Sequence, residues 1–355
     1  MKSINGKFIE IDGKRIGEDY SPYIVAEMSG NHNREISNAL ALIKKAKECG
    51  ADAIKLQTYK ANTITIDHDG PDFIVNGGLW DKRKLYDLYE EAHTPWEWHK
   101  DLFKYAEEIG ITIFSSPFDH TAVDFLEELG TKAYKIASPE IIDIPLIKKV
   151  ALTLKPIIIS TGMANEKEII EAIDTIRQCG NEKIVVLHCT SAYPTPINES
   201  NLITIREISK KFNVISGLSD HSLGTKISSY ACLMGACLIE KHFTLDRTKG
   251  GVDSYFSLEP KELSELVKES KEVKNILGIP AFGPTKSESI SLTGRRSLYA
   301  VKDINKGEIF TKENIKSIRP GRGLKPKYFE KILGLKAKYD IKFGDPLSAQ
   351  MFDLD

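Results

Sequence analysis

The sequence lacks several features that mark whole classes of protein. Its start, MKSINGKFIEIDGKRIGEDY, has none of the continuous apolar core that a signal peptide or a membrane span requires. Across 355 residues, 49 basic side chains stand against 50 acidic ones, which leaves a net charge of -1 and no basic stripe for nucleic acid. We therefore expect a cytoplasmic protein that binds neither nucleic acid nor membranes.

Cysteine and glycine patterns argue against three further classes of site. The five cysteines form no CxxC pair and most lie in apolar runs, which predicts reduced, buried thiols. Cys189 directly follows His188, but adjacent residues of a strand point to opposite faces, so we do not expect these two to form a nucleophilic pair. The stretches NGGLW and KGGVD match neither nucleotide-binding fingerprint, so we expect neither NAD nor ATP.

What the sequence does contain is a regular alternation of short apolar runs and amphipathic stretches. Runs of strand length begin at Tyr23, Ala53, Ile111, Ala133, Pro156, Ile184, Asn213 and Ala236. Stretches such as ISNALALIKKAKECG lie between them, have helical periodicity and close on a glycine. Eight strands alternating with helices predict a (β/α)8 TIM barrel, an α/β fold, over residues 21–282. Residues 1–20 predict a small hairpin that turns at Asp12-Gly13.

One long gap interrupts this spacing, between the runs that begin at Ala53 and Ile111. We expect an insertion at residues 60–93, with a helix of its own in LWDKRKLYDLYEEA. A barrel helix then follows, for which Thr94 is the predicted N-cap, Pro95 the first residue and Glu97 the partner in a capping box.

The gap and the helix after it hold all three tryptophans of the chain. Trp96 and Trp98 lie at the start of the barrel helix, where packing is the expected role. Trp80 lies on the insertion, where a loop can close over the mouth of a barrel. We therefore expect Trp80 to contact a ligand.

After the barrel the pattern changes to short strands and turns. Residues 283–296 predict a linker and residues 297–355 a compact module. Within the module, DINKGE from Asp303 and DIKFGD from Asp340 resemble each other and predict two matched turns. A module this small rarely folds alone, so we expect it to pack on the barrel or on another subunit.

Polar residues at the ends of the predicted strands are the candidates for a site, because barrel active sites lie at the C-terminal ends of strands. Lys55 and Lys135 each interrupt an apolar strand, and an ammonium group is rarely buried without an anion. With serine hydroxyls around them, the two lysines could hold a phosphate together with a carboxylate. Alternatively, each lysine pairs with a barrel glutamate, Glu27 or Glu240, or one of them is a Schiff-base nucleophile.

Two histidines, His221 and His242, follow neighbouring strands. Together they could ligate one divalent metal and leave positions open for water and substrate, although either could simply hydrogen-bond a loop. The nearby hydroxyls and carboxylates favour a catalytic site rich in oxygen. Of the other histidines, His32 is expected at the rim, and the rest at the surface or in loops: His68, His93, His99 and His120.

The strand-end motifs resemble those of the sialic acid synthase family. They are AEMSGNH, AIKLQT, SSPFD, AYKIAS, STGM, HCTSAYPTP, GLSDHS and EKHFT, and IRPGRGLKP resembles a turn of the family's C-terminal antifreeze-like (SAF, β-clip) domain. This resemblance implies a transferase that condenses phosphoenolpyruvate with an N-acetylated amino-sugar aldehyde, giving a nine-carbon 2-keto acid and phosphate. It also implies a divalent metal: Mn²⁺, Mg²⁺ or Co²⁺.

The same resemblance implies a role for each matching residue. Phosphoenolpyruvate would contact Lys55, Ser116, Lys135, Ser138, Ser160, Tyr193 and Ser219. The metal would be held by His221 and His242, and Glu27 would contact the metal-bound water or the reacting carbon. The sugar would contact Gln57, Trp80, Glu140 and Asp253. Arg319 would reach the acetamido group of the sugar from the second subunit, which implies a domain-swapped homodimer.

The choice of sugar depends on the insertion. LQTY and Ser191 depart from the N-acetylneuraminate branch, whereas DFIVNGGLWDKRKLYDLYEEAHTPWEWH resembles the segment typical of bacterial pseudaminic acid synthases. Their acceptor is 2,4-diacetamido-2,4,6-trideoxy-L-altrose, whose methyl and acetamido groups suit apolar contacts such as Trp80 and Tyr59. The alternatives are a synthase for N-acetylneuraminate or legionaminic acid, a Schiff-base aldolase on the same barrel, and a non-catalytic sugar-binding protein.

Overall fold

The computed structural model describes residues 8–353 and divides the chain into two compact units, which meet in sequence at Gly278 and Ile279. The first seven residues of the predicted hairpin lie outside the described part. What is described of it is antiparallel, with β1 (Ile9–Ile11) paired to β2 (Lys14–Ile16). Asp12 and Gly13 form the turn with φ of 49° and 78°, as a tight hairpin turn requires.

The first unit is the predicted TIM barrel. Eight parallel strands close in the order β10-β3-β4-β5-β6-β7-β8-β9. They are β3 (Tyr23–Glu27), β4 (Ala53–Thr58), β5 (Thr112–Pro117), β6 (Tyr134–Ile136), β7 (Ile157–Ser160), β8 (Ile184–Cys189), β9 (Ile215–Asp220) and β10 (Leu238–His242). Inside the barrel, residues such as Val25, Phe114 and Leu187 form an apolar cluster to which the hairpin contributes Ile9, Ile11 and Ile16. The polar residues thus lie at the opposite end.

Helices cover the outside of the barrel, except two that belong to the insertion after β4. The helices are α1 (Ile36–Glu48), α2 (Ala61–Ile64), α3 (Leu85–Ala92), α4 (Trp96–Ile109), α5 (His120–Glu128), α6 (Ile144–Ala151), α7 (Glu166–Gln178), α8 (Thr204–Phe212), α9 (Lys226–Leu233) and α10 (Pro260–Leu277). Helix α1 shows why they pack there, because its buried residues Ala39, Leu42, Ile43 and Ala46 form one helical stripe. None of the helices in the described part is both long and apolar enough to span a membrane.

Two predictions for the segment after β4 are wrong in detail. The insertion helix begins at Leu85, because residues before it form a turn closed by backbone bonds between Val75 and Arg83 and between Val75 and Lys82. Thr94 does not cap α4, whose N-cap is Pro95 with no side-chain hydrogen bond. Pro95 has an extended ψ of 132°, so the helix starts one residue later than predicted.

The tryptophans at the start of α4 are packing residues, as predicted. The ring of Trp96 stacks on Phe125 with centroids 4.6 Å apart, and its indole N–H donates to the Tyr59 carbonyl. Trp98 packs against the barrel's outer core and makes an edge contact with His32. Elsewhere in the first unit, all five cysteines are free thiols, and all but the half-buried Cys179 are buried.

The second unit contains the two matched turns. Strands β11 (Ser297–Ala300) and β12 (Ile315–Ile318) pair antiparallel, and one short helix, α11 (Phe329–Ile332), follows them. The turns face each other reciprocally: the Lys306 N–H donates to Asp340, and the Phe343 N–H donates to Asp303, each at 2.8 Å. The internal sequence similarity therefore reflects a pair of mutually capped turns around a small apolar core.

Candidate active site

A cavity of about 480 Å³ opens at the C-terminal ends of the barrel strands. The predicted residues that line it are Lys55, Gln57, Trp80, Lys135, Ser138, Glu140, Ser160, Tyr193, Ser219, His221, His242 and Asp253. Glu27 and Ser116 lie directly behind Lys55, within bonding distance of its ammonium group. Arg319 belongs to the second unit, and its role stays a prediction.

The floor of the cavity is a cluster of two lysines and two glutamates. Lys55 Nζ lies 2.9 Å from a Glu27 carboxylate oxygen and 3.3 Å from Glu240 Oε1. Lys135 Nζ lies 3.2 Å from the same Glu240 oxygen, to which the Ser219 hydroxyl also donates. Both lysines are therefore paired with barrel glutamates, which is one of the alternatives that the sequence left open. Glu240 is shared between them. All four charged side chains are almost fully buried.

The electrostatics of this cluster are asymmetric. Burial alone would raise the pKa of Glu240, but the ammonium groups of Lys135 and Lys55 hold it below its usual range. Burial raises the pKa of Glu27, and the nearby Glu240 carboxylate adds to the effect, while Lys55 opposes it. Burial also lowers the pKa of Lys135, which shares its one carboxylate with Lys55. The raised pKa of Glu27 reduces the negative charge that offsets the two ammonium groups, which favours an incoming anion.

Besides atoms of Glu27, Glu240 and His242, two polar atoms around the floor have no hydrogen-bond partner among the described residues. One is the hydroxyl of Ser160, at the end of β7, and the other is Oε2 of Glu140, in the 3-10 turn that follows β6. Burial raises the pKa of Glu140 to about 7. Since unpaired buried polar groups are costly, these atoms are expected to bond a ligand.

The two histidines lie side by side at the cavity wall, with ring centroids 5.3 Å apart. His221 Nδ1 lies 3.2 Å from the Thr190 carbonyl oxygen, whereas His242 Nδ1 is buried without a hydrogen-bond partner, 3.7 Å from a carboxylate oxygen of Asp253. Burial lowers the pKa of His242 well below its usual range, which keeps the imidazole in the neutral form that binds metals.

These features fit a divalent metal bound by His221 and His242. Within residues 8–353 there is no cluster of three or more histidine, cysteine, aspartate or glutamate side chains arranged to hold a metal ion. A metal on the two imidazoles would therefore take its other ligands from water and substrate, as open catalytic sites do.

Cys189 lies beside this pair rather than beside His188. Its sulfur is 3.9 Å from His221 Nδ1, while His188 Nε2 lies 2.9 Å from the Ser200 carbonyl oxygen. The predicted absence of a His188–Cys189 pair is thus confirmed. Burial raises the pKa of the thiol, but the contacts with His221, Ser138 and Lys135 outweigh it and bring the pKa to about 7.

An apolar wall faces the charged floor, and the insertion supplies most of it. Helix α3 contributes Leu85, Leu88, Tyr89 and Ala92, and residues before it contribute Ile64, Val75 and Trp80. The indole of Trp80 donates a 2.9 Å hydrogen bond to the Val252 carbonyl, and its ring lies 5.4 Å from that of Tyr193. The cavity is therefore polar at the bottom and apolar at the mouth.

Some histidine predictions are wrong. His32 is fully buried and accepts a backbone hydrogen bond from Arg34, so it does not line the rim. His99 is also fully buried: it lies on the inward face of α4, where its Nε2 is 2.9 Å from the Thr58 hydroxyl. A position at the surface or in a loop had been predicted for it, but helical spacing places it beside Leu102 and Ala106, which are buried on the same face.

Sequence reasoning undervalued two parts of the site. Glu240 had been considered only as a possible counter-ion, although a carboxylate within an apolar strand carries the same signal as a lysine there. Of the apolar wall, only Trp80 and Tyr59, which precede α3 in the chain, had been singled out, and the wall residues of α3 had not. Their signal was the spacing of Leu85, Leu88, Tyr89 and Ala92, which places all four on one helical face.

Comparison with known proteins identifies the family of the chain. The sequence profile of the NeuB family matches residues 42–281, and that of the SAF domain matches residues 295–353. The chain is 46% identical over 334 residues to the pseudaminic acid synthase of Campylobacter jejuni subsp. jejuni (strain 81-176), covering 94% of this chain and 97% of the relative. It is 43% identical over 330 residues to the pseudaminic acid synthase of Helicobacter pylori, covering 92% and 97%.

A solved structure is also similar, that of the N-acetylneuraminic acid (sialic acid) synthetase of Leptospira borgpetersenii serovar Hardjo-bovis in complex with citrate. Its TM-score is 0.72 at 31% identity, and the match covers 81% of this chain and 95% of that chain. The predicted membership of the sialic acid synthase family is therefore confirmed. The chain belongs to the NeuB family and carries a C-terminal SAF domain.

Proposed function

We propose that the protein condenses phosphoenolpyruvate with 2,4-diacetamido-2,4,6-trideoxy-L-altrose to give pseudaminic acid and phosphate, using a divalent metal. The observation that carries the proposal is the division of one cavity into a cationic floor and an apolar mouth. The floor suits a small, multiply charged anion, and the mouth suits a sugar that bears a methyl and acetyl groups. The similarity to pseudaminic acid synthases supports the same choice.

Phosphoenolpyruvate would bind at the floor. Lys55 and Lys135 supply two ammonium groups that share the Glu240 carboxylate, so each can turn toward an anion without leaving an isolated charge behind. The hydroxyls of Ser138, Ser160 and Ser219 surround them, and that of Ser160 is free to donate. The ligand would thus be neutralised by charge and oriented by hydroxyl groups.

The sugar would lie above it, with its aldehyde carbon toward the floor and its methyl group toward the mouth. Gln57, Glu140 and Asp253 are the polar groups at the height of the sugar, and the unpaired Glu140 oxygen can accept from a hydroxyl or an amide N–H. The far end of the sugar would contact Leu88 and the other apolar residues of the wall. A sugar with a hydroxyl group in place of the methyl would bind less well, because the hydroxyl would lose its hydrogen bonds to water at the wall without gaining a partner.

In the reaction, C3 of phosphoenolpyruvate attacks the aldehyde carbon, forming a carbon–carbon bond while the aldehyde oxygen takes a proton. Water adds to C2, and the C2–O bond to phosphate then breaks, leaving the 2-keto acid and phosphate. A metal on His221 and His242 would supply Lewis-acid polarisation of the aldehyde. Glu27, buried behind Lys55 with a raised pKa, would exchange a proton with the attacking water. The lysines neutralise the phosphate throughout.

We also propose that Arg319 contacts the acetamido group across a homodimer. Its support is the resemblance of IRPGRGLKP to the antifreeze-like turn, together with the SAF match. Mixing an Arg319→Ala chain with a His242→Ala chain tests it: a contact in trans predicts that activity returns in the mixture. A contact within one chain predicts the opposite, namely no return of activity.

A phosphate-release assay tests the main proposal. The purified protein is given phosphoenolpyruvate with the altrose derivative, with N-acetylmannosamine or with the legionaminic acid precursor, each with Mn²⁺ and with EDTA. We expect release with the altrose derivative and loss of release in EDTA. With ¹⁸O in the bridging oxygen of phosphoenolpyruvate, the label is expected in phosphate, because the C2–O bond breaks.

Each contrary result has a separate meaning. Faster release with either other aldehyde would reassign the sugar and keep the chemistry. Full activity in EDTA would favour a Schiff-base aldolase, and absence of release with all three aldehydes would favour a sugar-binding protein.

A further inference from the structure

A buried ion pair lies on the outer face of the barrel, behind the two histidines. Lys241 Nζ is 2.9 Å from a carboxylate oxygen of Asp220, and their side chains are 0% and 2% exposed. Asp220 ends β9 and Lys241 lies in β10, where the two residues are direct partners in the strand register. This pair is separate from the lysine and glutamate cluster inside the barrel.

Each member of the pair directly precedes one of the histidines. Asp220 is followed by His221, and Lys241 by His242. Successive side chains of a strand point to opposite faces, so the outward ion pair and the inward imidazoles alternate on the same two strands. Any sliding of β9 against β10 would stretch the ion pair and change the distance between the two rings.

The pair is held by further bonds that leave it little freedom. The ammonium group of Lys241 also donates to the Ser222 carbonyl. The Asp220 carboxylate accepts from the Ser228 hydroxyl of α9 at 2.6 Å and from the Ser222 N–H at 2.8 Å. The loop that carries His221 is thus tied on one side to β10 and on the other to α9.

Stability alone is a poor reason for such a pair. Desolvation of two charges generally costs as much as their attraction returns, and apolar residues of similar volume often stabilise a protein equally well. What an ion pair with directed hydrogen bonds adds is a defined geometry. Groups that orient metal-binding histidines typically act in this way from outside the ligand shell.

We propose that Lys241 and Asp220 are positioning residues that set the spacing of His221 and His242 for a shared divalent metal. The inference rests on the proposed function, since it needs a metal at the two imidazoles. Lys241 and Asp220 themselves point away from the cavity and do not line it. They act through the register of β9 and β10.

The decisive variant is Lys241→Met, which keeps the length of the side chain and removes the ammonium group. Removal of a positive charge near a cation site would by itself tighten metal binding, whereas loss of positioning weakens it. We expect Mn²⁺ affinity, followed by electron paramagnetic resonance, to fall about 10- to 100-fold, in line with other groups that orient metal ligands. Phosphoenolpyruvate affinity, measured in EDTA, is expected to change much less.

Tyr134→Phe is the matched control. The Tyr134 side chain is fully buried in β6, and its hydroxyl donates to Glu127 at 2.6 Å on the outer face of the barrel, remote from the histidines. Both variants lose a buried polar contact, so both are expected to lower the melting temperature. Only Lys241→Met is expected to weaken Mn²⁺ binding and to alter the visible absorption spectrum of bound Co²⁺.

The outcomes separate this inference from the proposed function. If the wild-type protein binds no Mn²⁺, both the positioning role and the metal dependence are overturned. If the wild type binds Mn²⁺ and Lys241→Met binds it equally or more tightly, the positioning role alone is overturned. Should Lys241→Met not fold, Ser228→Ala decides, because it removes one bond to Asp220 and predicts a smaller loss of Mn²⁺ affinity in the same direction.

Discussion

The indole N–H of Trp80 donates a 2.9 Å hydrogen bond to the carbonyl oxygen of Val252, a residue 172 positions further along the chain. The bond ties the insertion after β4 to the loop after β10. In that loop, Asp253 directly follows Val252 and lines the cavity. Trp80 therefore has two separable roles. Its ring forms part of the apolar wall, and its N–H holds two loops together.

Substitution of Trp80 should affect the sugar far more than phosphoenolpyruvate. Trp80→Ala removes both roles. Loss of a large apolar contact that contributes about 2 kcal/mol to binding is expected to raise the KM for the sugar by more than about tenfold. Trp80→Phe keeps an aromatic ring and removes only the hydrogen bond, so the KM for the sugar is expected to rise by about threefold to tenfold.

Steady-state kinetics with each substrate varied in turn measures these effects. Trp98→Phe is the control, since Trp98 packs outside the barrel and its substitution should change neither KM selectively. Equal effects of Trp80→Ala on both substrates would reduce the insertion to a scaffold.

Lys135 is expected to bind an anion without forming a covalent bond to substrate. Lys135→Met removes one of two ammonium groups at the floor, and kcat/KM for phosphoenolpyruvate is expected to fall by about 100- to 1,000-fold. Lys149→Met is the control, because Lys149 pairs with Asp124 at the surface of α6.

Borohydride added during turnover of the wild-type protein tests the covalent alternative by mass spectrometry. We expect no mass increase on Lys55 or Lys135. An adduct on either lysine would contradict the proposed chemistry and support a Schiff base.

Glu140 should make sugar binding dependent on pH. Its pKa is raised from 4.5 to about 7 by burial, so the carboxylate that accepts hydrogen bonds forms only as the pH rises through about 7. We therefore expect kcat/KM for the sugar to rise between pH 6 and pH 8, and Glu140→Gln to reduce that rise, while the titration of Glu27 still contributes to it.

The raised pKa of Glu140 also makes the stability of the protein depend on pH. A carboxyl group whose pKa is raised on folding stabilises the fold below its unfolded pKa, and this contribution is lost as the pH rises through the folded pKa. Relative to wild type, Glu140→Gln should thus be more stable at pH 8 than at pH 5, by at most about 3 kcal/mol. Urea unfolding at both pH values measures this, with the exposed Glu171→Gln as control. If the difference in unfolding free energy between Glu140→Gln and wild type is the same at both pH values, the raised pKa is contradicted.

The N-terminal hairpin should stabilise the barrel without affecting the chemistry. Ile11 is fully buried in the cluster inside the barrel, at the end opposite the cavity. Ile11→Ala is expected to lower the free energy of unfolding by about 2 to 5 kcal/mol while leaving both KM values unchanged. Glu10→Ala, at an exposed position of the same strand, should change the unfolding free energy by less than about 0.5 kcal/mol.

Local pattern was enough to predict the barrel strands and the set of polar residues at their ends. A run such as IVVLHC predicts a buried strand whichever strands lie beside it, because side-chain alternation and length are local properties. Fine local detail was less predictable. Thr94 and Pro95 match a helix start in their residue types, but the extended backbone of Pro95 shifts the helix by one residue.

Sequence by itself thus determined the eight-stranded barrel, the matched turns of the second unit, and which residue types face the C-terminal end of each strand. Only the tertiary structure decided which of those residues meet: Glu240 between Lys55 and Lys135, Trp80 on Val252, and Lys241 on Asp220. The physical reason is the pairing of strands in a closed barrel, which places β10 between β9 and β3. Contacts between residues far apart in the chain depend on strand register and side-chain direction, and neither can be read from the spacing of residues along the sequence.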